Sequence, residues 1–245
     1  MRVFGITGRK NTGKTTLVSM IIPELIKKGY TVGTIKKTHS QFDIEGRDTE
    51  KHSQAGAKIV SGVGGETFFK LNKIMELEDI LKFMKELEPV DFVILEGFKE
   101  SPFIKIATAN YDDSDETIMK VVDVNNIIKN NDSSLKEIIE LIEDRSYGIL
   151  QKLNCKKCGY NTCEEFRISK IKGEAGKEIQ CLTDIDEAIL KVDGELIPMN
   201  PFVKSLVKNI TEGLVKTLRT DEFGAKSNEK IELIVKNNTN DNNEN

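Results

Sequence analysis

The sequence predicts an α/β chain: a mainly parallel sheet with helices on both faces, followed by a small α+β module built around cysteine. Three observations carry this reading. Short apolar runs alternate with helix-spaced apolar stripes through residues 1–145, the rhythm of a parallel sheet covered by helices. The segment GRKNTGKT lies between the first run and the first stripe. All four cysteines fall in residues 155–181, spaced C-x2-C-x4-C-x17-C.

Val3–Thr7 reads as a buried first strand. Leu17, Ile21 and Leu25 recur at helical spacing. Pro23 inside that stripe is expected to kink the helix or shorten its regular part, and Gly29 to stop it. Thr31–Lys36 reads as the next strand. Lys37–Lys51 is too charged for core and long enough for a binding loop. Ala57–Ser61 and Thr67–Phe69 are strand candidates. Leu77, Ile80, Leu81, Met84 and Leu87 mark a helix face that Pro89 ends. Asp91–Leu95 is an apolar strand closing on Glu96-Gly97. Ile104–Ala107 and Met119–Val122 supply further strands, and Leu135, Ile138, Ile139 and Ile142 another helix. Ile189–Val192 and Glu195–Ile197 flank Asp193-Gly194, which suits a tight hairpin turn. Asn200 can cap a helix that begins at Pro201 and carries Val203, Val207, Ile210 and Leu214. The expected division is a nucleotide-binding domain over 1–147, a four-cysteine domain with hairpin and helix over 148–220, and a polar, disordered tail over 221–245. Residues 1–145 are expected to be complete as an α/β domain.

A formal charge of −4 with mixed signs gives no global pull toward nucleic acid. The N-terminus lacks a signal-peptide pattern, and no apolar run approaches the roughly 20 residues that span a bilayer. The chain is therefore expected in the cytoplasm, off the membrane. A reducing compartment favours metal-binding thiolates over disulfides.

Gly8-Arg9-Lys10-Asn11-Thr12-Gly13-Lys14-Thr15 fits G-x4-G-K-T in the strand–loop–helix setting of a P-loop NTPase-like fold. Gly8 and Gly13 let backbone amides close on phosphate, and the helix start adds donors and a favourable dipole. Lys14 can reach the β and γ phosphates, and Thr15 can offer its hydroxyl to Mg²⁺. An acid near that metal belongs at the carboxyl end of a neighbouring strand. Asp91 and Glu96 are about 16 Å apart in an extended strand, and Glu96 is at the correct end. Both histidines of the chain, His39 and His52, fall in the polar stretch with Asp43 and Asp48. Asp43 is the candidate general base.

Four thiolates at this spacing can hold either a [4Fe–4S] cluster or a tetrahedral Zn²⁺. Zinc sites normally use two short C-x2-C hooks, and only one is present.

Residues 1–107 resemble the molybdopterin-guanine dinucleotide biosynthesis protein B family, through GITGRKNTGKTTL, VGTIKKTHSQFDIEGRDTEKHSQAGA and DFVILEGFK. The resemblance implies a GTP-binding, weakly GTP-hydrolysing accessory protein, usually a homodimer. Such a protein assists a molybdopterin guanylyltransferase, or another cofactor-assembly enzyme, in making the dinucleotide form of the molybdenum or tungsten cofactor. It implies that Gly8, Asn11, Thr12, Gly13, Lys14, Thr15, Thr16 and Lys99 hold nucleotide and that Thr15 and Glu96 hold Mg²⁺. Lys14, Asp43 and Glu96 would be catalytic, with His39 and Asp48 in the polar loop. The segments CKKCGYNTCEEF and KIKGEAGKEIQC resemble an iron–sulfur domain found in electron-transfer subunits and corrinoid proteins. That likeness implies a [4Fe–4S] cluster on Cys155, Cys158, Cys163 and Cys181. Leu182 stands where that family often has proline. Two other readings remain: a nucleotide-switched iron–sulfur scaffold or redox sensor, and an ATP-dependent metallochaperone. No N-K-x-D guanine signature occurs, so guanine preference follows from resemblance alone.

Overall fold

The computed structural model describes residues 1–38, 47–109, 111, 115–130, 133–181, 188, 190–192, 195–219, 222, 231, 233 and 235. The elements in chain order are β1 (Arg2–Thr7), α1 (Lys14–Lys27), β2 (Val32–Lys36), α2 (Asp48–Gln54), β3 (Ile59–Val63), β4 (Thr67–Leu71), α3 (Leu77–Leu87), β5 (Phe92–Glu96), β6 (Lys105–Thr108), β7 (Ile118–Val122), α4 (Val124–Asn130), α5 (Ser133–Arg145), α6 (Cys163–Lys172), β8 (Leu190–Val192), β9 (Glu195–Ile197) and α7 (Pro201–Lys216).

Five strands form one parallel sheet in the order β2-β5-β1-β6-β7. Its two central strands explain the apolar runs. Val3, Phe4 and Ile6 of β1 and Phe92–Leu95 of β5 have no exposed surface, as strands buried on both faces require. Helices flank the sheet. Leu17, Ile21 and Leu25 of α1, Leu81 of α3, and Ile138 and Ile142 of α5 are fully buried in the same core. Each such side chain contributes about 1.5–3 kcal/mol by leaving water.

Pro23 does not shorten α1, which continues to Lys27. Pro23 and Ser19 both lie on the exposed face, so water can satisfy the carbonyl that loses its helical donor, while Ile21 and Leu25 hold the buried face in place. Gly29, at φ 88°, ends the helix as expected. The β3–β4 pair is antiparallel and forms a separate two-stranded sheet. Asp91 precedes β5 at the end remote from Glu96. Its carboxylate accepts bonds from the Thr31 N–H (2.8 Å) and hydroxyl (2.9 Å), which hold its pKa below the usual range.

Residues 148–181 are built onto this core. The chain falls into two compact units, Met1–Asp184 and Ile185–Asn245. Tyr147 makes the junction. Its carbonyl accepts from the Val3 N–H at 2.9 Å, and its hydroxyl donates to the Pro102 carbonyl at 2.5 Å. Its ring lies 5.6 Å from Phe103 and 6.4 Å from Phe166 of α6. Phe166 in turn meets Tyr160 at 5.7 Å. Arg145 donates to the Ile171 carbonyl, and the buried Lys170 ammonium donates to the carbonyls of Asp144 and Gly176. In the second unit β8 and β9 pair antiparallel as the hairpin expected, with the turn 193–194 outside the described residues. The Asn200 side chain caps α7 by accepting from the Val203 N–H at 2.9 Å.

This shared core predicts unequal fragments. Residues 1–184 are expected to unfold in one urea transition. Residues 1–147 should melt at a clearly lower urea concentration, because truncation uncovers Tyr147 and Phe103. Equal midpoints would show that the cysteine segment adds nothing to the α/β core.

Candidate functional site

The phosphate loop joins the carboxyl end of β1 to the start of α1. Gly8, Asn11 and Gly13 all have positive φ, at 147°, 63° and 85°. The chain thus turns three times within six residues and brings the first α1 amides to the sheet end, where an anion can dock. At Gly8 a side chain is also excluded by space: a Cβ there would lie 1.9 Å from the Thr108 hydroxyl. That hydroxyl bonds with the Thr12 hydroxyl at 2.5 Å and donates to the Thr7 carbonyl at 3.2 Å, tying the loop to β6.

Lys14 folds back over the loop and donates to the carbonyls of Gly8 (3.1 Å) and Arg9 (2.5 Å). Burial holds its pKa below the ordinary lysine value; Glu96 opposes that shift, and Lys99 and Lys36 add to it. The Thr15 hydroxyl donates to Glu96 Oε1 at 2.8 Å. Parallel pairing sets Lys36 beside Glu96 at the matching ends of β2 and β5. The Lys36 ammonium lies 3.1 Å from Glu96 Oε1 and donates to the Thr15 hydroxyl at 3.3 Å. In sheet order, the carboxyl ends of β2, β5, β1 and β6 therefore present Lys36, Glu96, the phosphate loop and Thr108 in a row.

Among the residues expected from sequence, Gly8, Asn11, Thr12, Gly13, Lys14, Thr15, Thr16 and Glu96 lie at this end of the sheet, with Lys99 in the turn after β5. His39 and Asp43 fall outside the described residues. Asp48 starts α2, is exposed, and pairs with Lys51 of its own helix at 3.1 Å. Lys36 and Thr108 were not singled out from sequence. The available signal was their position at the ends of strands flanking the loop.

The four thiols form the second site. Cys155, Cys158, Cys163 and Cys181 form no disulfide and line one small hollow, partly open to solvent, with Leu150, Tyr160 and Phe166 among its walls. Among the described residues, no three His, Cys, Asp or Glu side chains gather tightly enough to hold a single metal ion. Lys152, Asn154, Lys156 and Gly159 all take left-handed φ. Alternating turns of this kind make backbone concavities that receive anions, including thiolate-ligated clusters. The Asn154 side chain accepts from the Cys163 N–H at 2.9 Å, and the Thr162 hydroxyl caps α6 by accepting from the Glu165 N–H at 3.0 Å. Together they fix Cys163 at the first turn of α6. A donor set of four thiols around one hollow, on an anion-accepting backbone, fits an iron–sulfur cluster.

Comparison with known proteins agrees with both halves of this description. Residues 3–130 match the family model "Molybdopterin guanine dinucleotide synthesis protein B", and residues 150–182 match a model described as "Putative Fe-S cluster". The chain belongs to the molybdopterin guanine dinucleotide synthesis protein B family. It is 34% identical over 226 residues to a Methanocaldococcus jannaschii protein, "Putative molybdopterin-guanine dinucleotide biosynthesis adapter protein", covering 89% of this chain and 92% of that one. A Haemophilus influenzae molybdopterin-guanine dinucleotide biosynthesis adapter protein is 33% identical over 108 residues, which are 42% of this chain and 61% of that one. The solved structure of Bacillus subtilis MobB aligns over 45% of this chain and 66% of that one, at 23% identity and a TM-score of 0.38. The M. jannaschii match, at 89% of this chain, runs far enough to include the four-cysteine segment. Among the described residues no helix is long and apolar enough to cross a membrane.

Gly8→Ala is expected to destabilise the first unit by about 1–3 kcal/mol, through the left-handed backbone and the collision with Thr108. Urea unfolding measures this. An unchanged midpoint would mean the loop does not approach β6 as closely as described.

Proposed function

We propose that this chain is a GTP-binding, slowly GTP-hydrolysing adapter in the biosynthesis of molybdopterin guanine dinucleotide, and that it carries a [4Fe–4S] cluster. The observation that carries the nucleotide half is the contact of Thr15 with Glu96 beside Lys14, at the sheet end where parallel α/β folds bind ligands. Gly8–Thr16 would wrap the phosphates with backbone amides. Lys14 would leave its carbonyl partners for the β and γ phosphate oxygens. Thr15 and Glu96 would supply the oxygens that hold Mg²⁺, and Lys99 would add positive charge at the pocket edge. Mg²⁺, when bound, supplies charge neutralisation at the phosphates. Asp43 remains the candidate base, with His39 in the same polar stretch and Asp48 at the start of α2 that follows it.

Cys155, Cys158, Cys163 and Cys181 would ligate the cluster. A hollow ringed by four thiols suits a polynuclear cluster better than a tetrahedral zinc, whose ligands converge on one point. The cluster would tune or dock the partner. Family membership supports a molybdopterin guanylyltransferase, or another cofactor-assembly enzyme, as that partner, and a homodimer as the working form.

Two measurements test the reading. Lys14→Ala should keep the fold and lower GTP affinity at least tenfold in the presence of Mg²⁺, because it removes the cation aimed at the β–γ phosphates. Equal affinity would remove the nucleotide assignment, and a preference for ATP would point to a metallochaperone. Anaerobically purified protein should hold about four irons per chain; one zinc and no iron after reconstitution would make the module structural.

A further inference from the structure

Lys36 engages both side chains assigned to the metal. Its ammonium is 3.1 Å from Glu96 Oε1 and 3.3 Å from the Thr15 hydroxyl, which themselves are 2.8 Å apart. These are the oxygens that Mg²⁺ would need. An ammonium and a divalent cation cannot occupy the same small space between two oxygens, since each needs short contacts to both and they repel one another. The pairing is also no accident of a long surface side chain. Lys36 is the last residue of β2, in register with Glu96, the last residue of β5. The sheet itself therefore holds its backbone in place. The Glu96 side chain is only 12% exposed, while that of Lys36 is 50% exposed. The carboxylate is thus fixed and shielded, and the ammonium is the partner with room to leave. Solvent screening keeps such a half-exposed pair weak.

We propose that Lys36 is a positioning residue of the nucleotide site, a built-in cation that competes with Mg²⁺ for Thr15 and Glu96. It neutralises Glu96 and keeps the Thr15 hydroxyl turned toward that carboxylate, so the two metal-binding oxygens are pre-set. Displaced from that pair, the half-exposed ammonium stays tethered at the end of β2, beside Thr15 at the start of α1, so its charge remains next to the phosphate loop where the terminal phosphates are expected. Lys36 thereby couples metal entry to a second positive charge on the nucleotide. This inference rests on the reading that Thr15 and Glu96 hold Mg²⁺ beside bound GTP.

The test uses the full chain and a fluorescent GTP analogue. Wild type, Lys36→Met and Lys36→Arg are titrated with Mn²⁺ in the presence of the analogue, and analogue affinity is measured separately in EDTA. Lys36→Met should lower the Mn²⁺ needed for half-saturation by about two- to fivefold, the scale of an exposed ion pair. In EDTA the same variant should bind the analogue several-fold more weakly than wild type, because no cation then bridges Glu96 and the phosphates. Lys36→Arg should stay near wild type in both. A variant that merely misfolds would lose binding in every condition and could not show the easier Mn²⁺ loading. If Lys36→Met binds the analogue with Mg²⁺ yet its Mn²⁺ requirement is unchanged or raised, the competition is wrong and the P-loop reading stands. If wild type binds no nucleotide with or without metal, both fall together.

Discussion

The structure depends on the place where Tyr147 closes the α/β core against the cysteine segment. One residue does three things there. Its carbonyl extends the hydrogen bonding of β1 at Val3, its hydroxyl ties down Pro102, and its ring fills the space between Phe103 and Phe166. Burial raises the pKa of the phenol, so it remains a donor throughout the physiological range. A buried tyrosine with its hydroxyl satisfied adds packing without an unpaired polar group. The aromatic series Phe103–Tyr147–Phe166–Tyr160 then runs from the segment just before β6 to the wall of the four-thiol hollow.

That junction places two chemistries on one scaffold. The segment Gly97–Ile104 begins at Glu96, beside Thr15 and Lys36, and its Pro102 carbonyl receives both the Tyr147 hydroxyl and, at 3.5 Å, the Arg167 guanidinium of α6. A short stretch of chain therefore has one end in the candidate nucleotide site and the other held by the cysteine segment. Fusion of the two sequence modules is thus more than a tether. In this family member the added four-cysteine segment borrows the parent domain's core instead of building its own, which a segment of some thirty residues could hardly do alone.

Much of this was legible in the sequence because it is local. The period of Leu17, Ile21 and Leu25 gave α1, the glycine loop announced the sheet end, Asp193-Gly194 marked the hairpin, and Asn200-Pro201 marked a helix start. What escaped was of two kinds. Helix α2 is DTEKHSQ and helix α4 is VNNIIKN; neither has an apolar stripe long enough to show a period, and each read as loop or passed unnoticed. The second kind is non-local. Lys36 and Thr108 reach the site only because β2 and β6 flank β5 and β1 in the sheet order, and Tyr147 looks like one aromatic in a linker until Phe166 is folded onto it. Motif spacing names the ligands of a site, while strand order names their neighbours.

The central claim is that the cysteine segment and the nucleotide domain share one core through Tyr147 and Phe166. Hydrogen exchange on the full chain carrying Phe166→Ala tests it most directly. The shared core predicts faster exchange not only in α6 but also at the Val3 amide and along Phe98–Lys105, on the far side of Tyr147. Acceleration confined to residues 150–182 would contradict it and would leave the two modules as neighbours that touch without depending on each other.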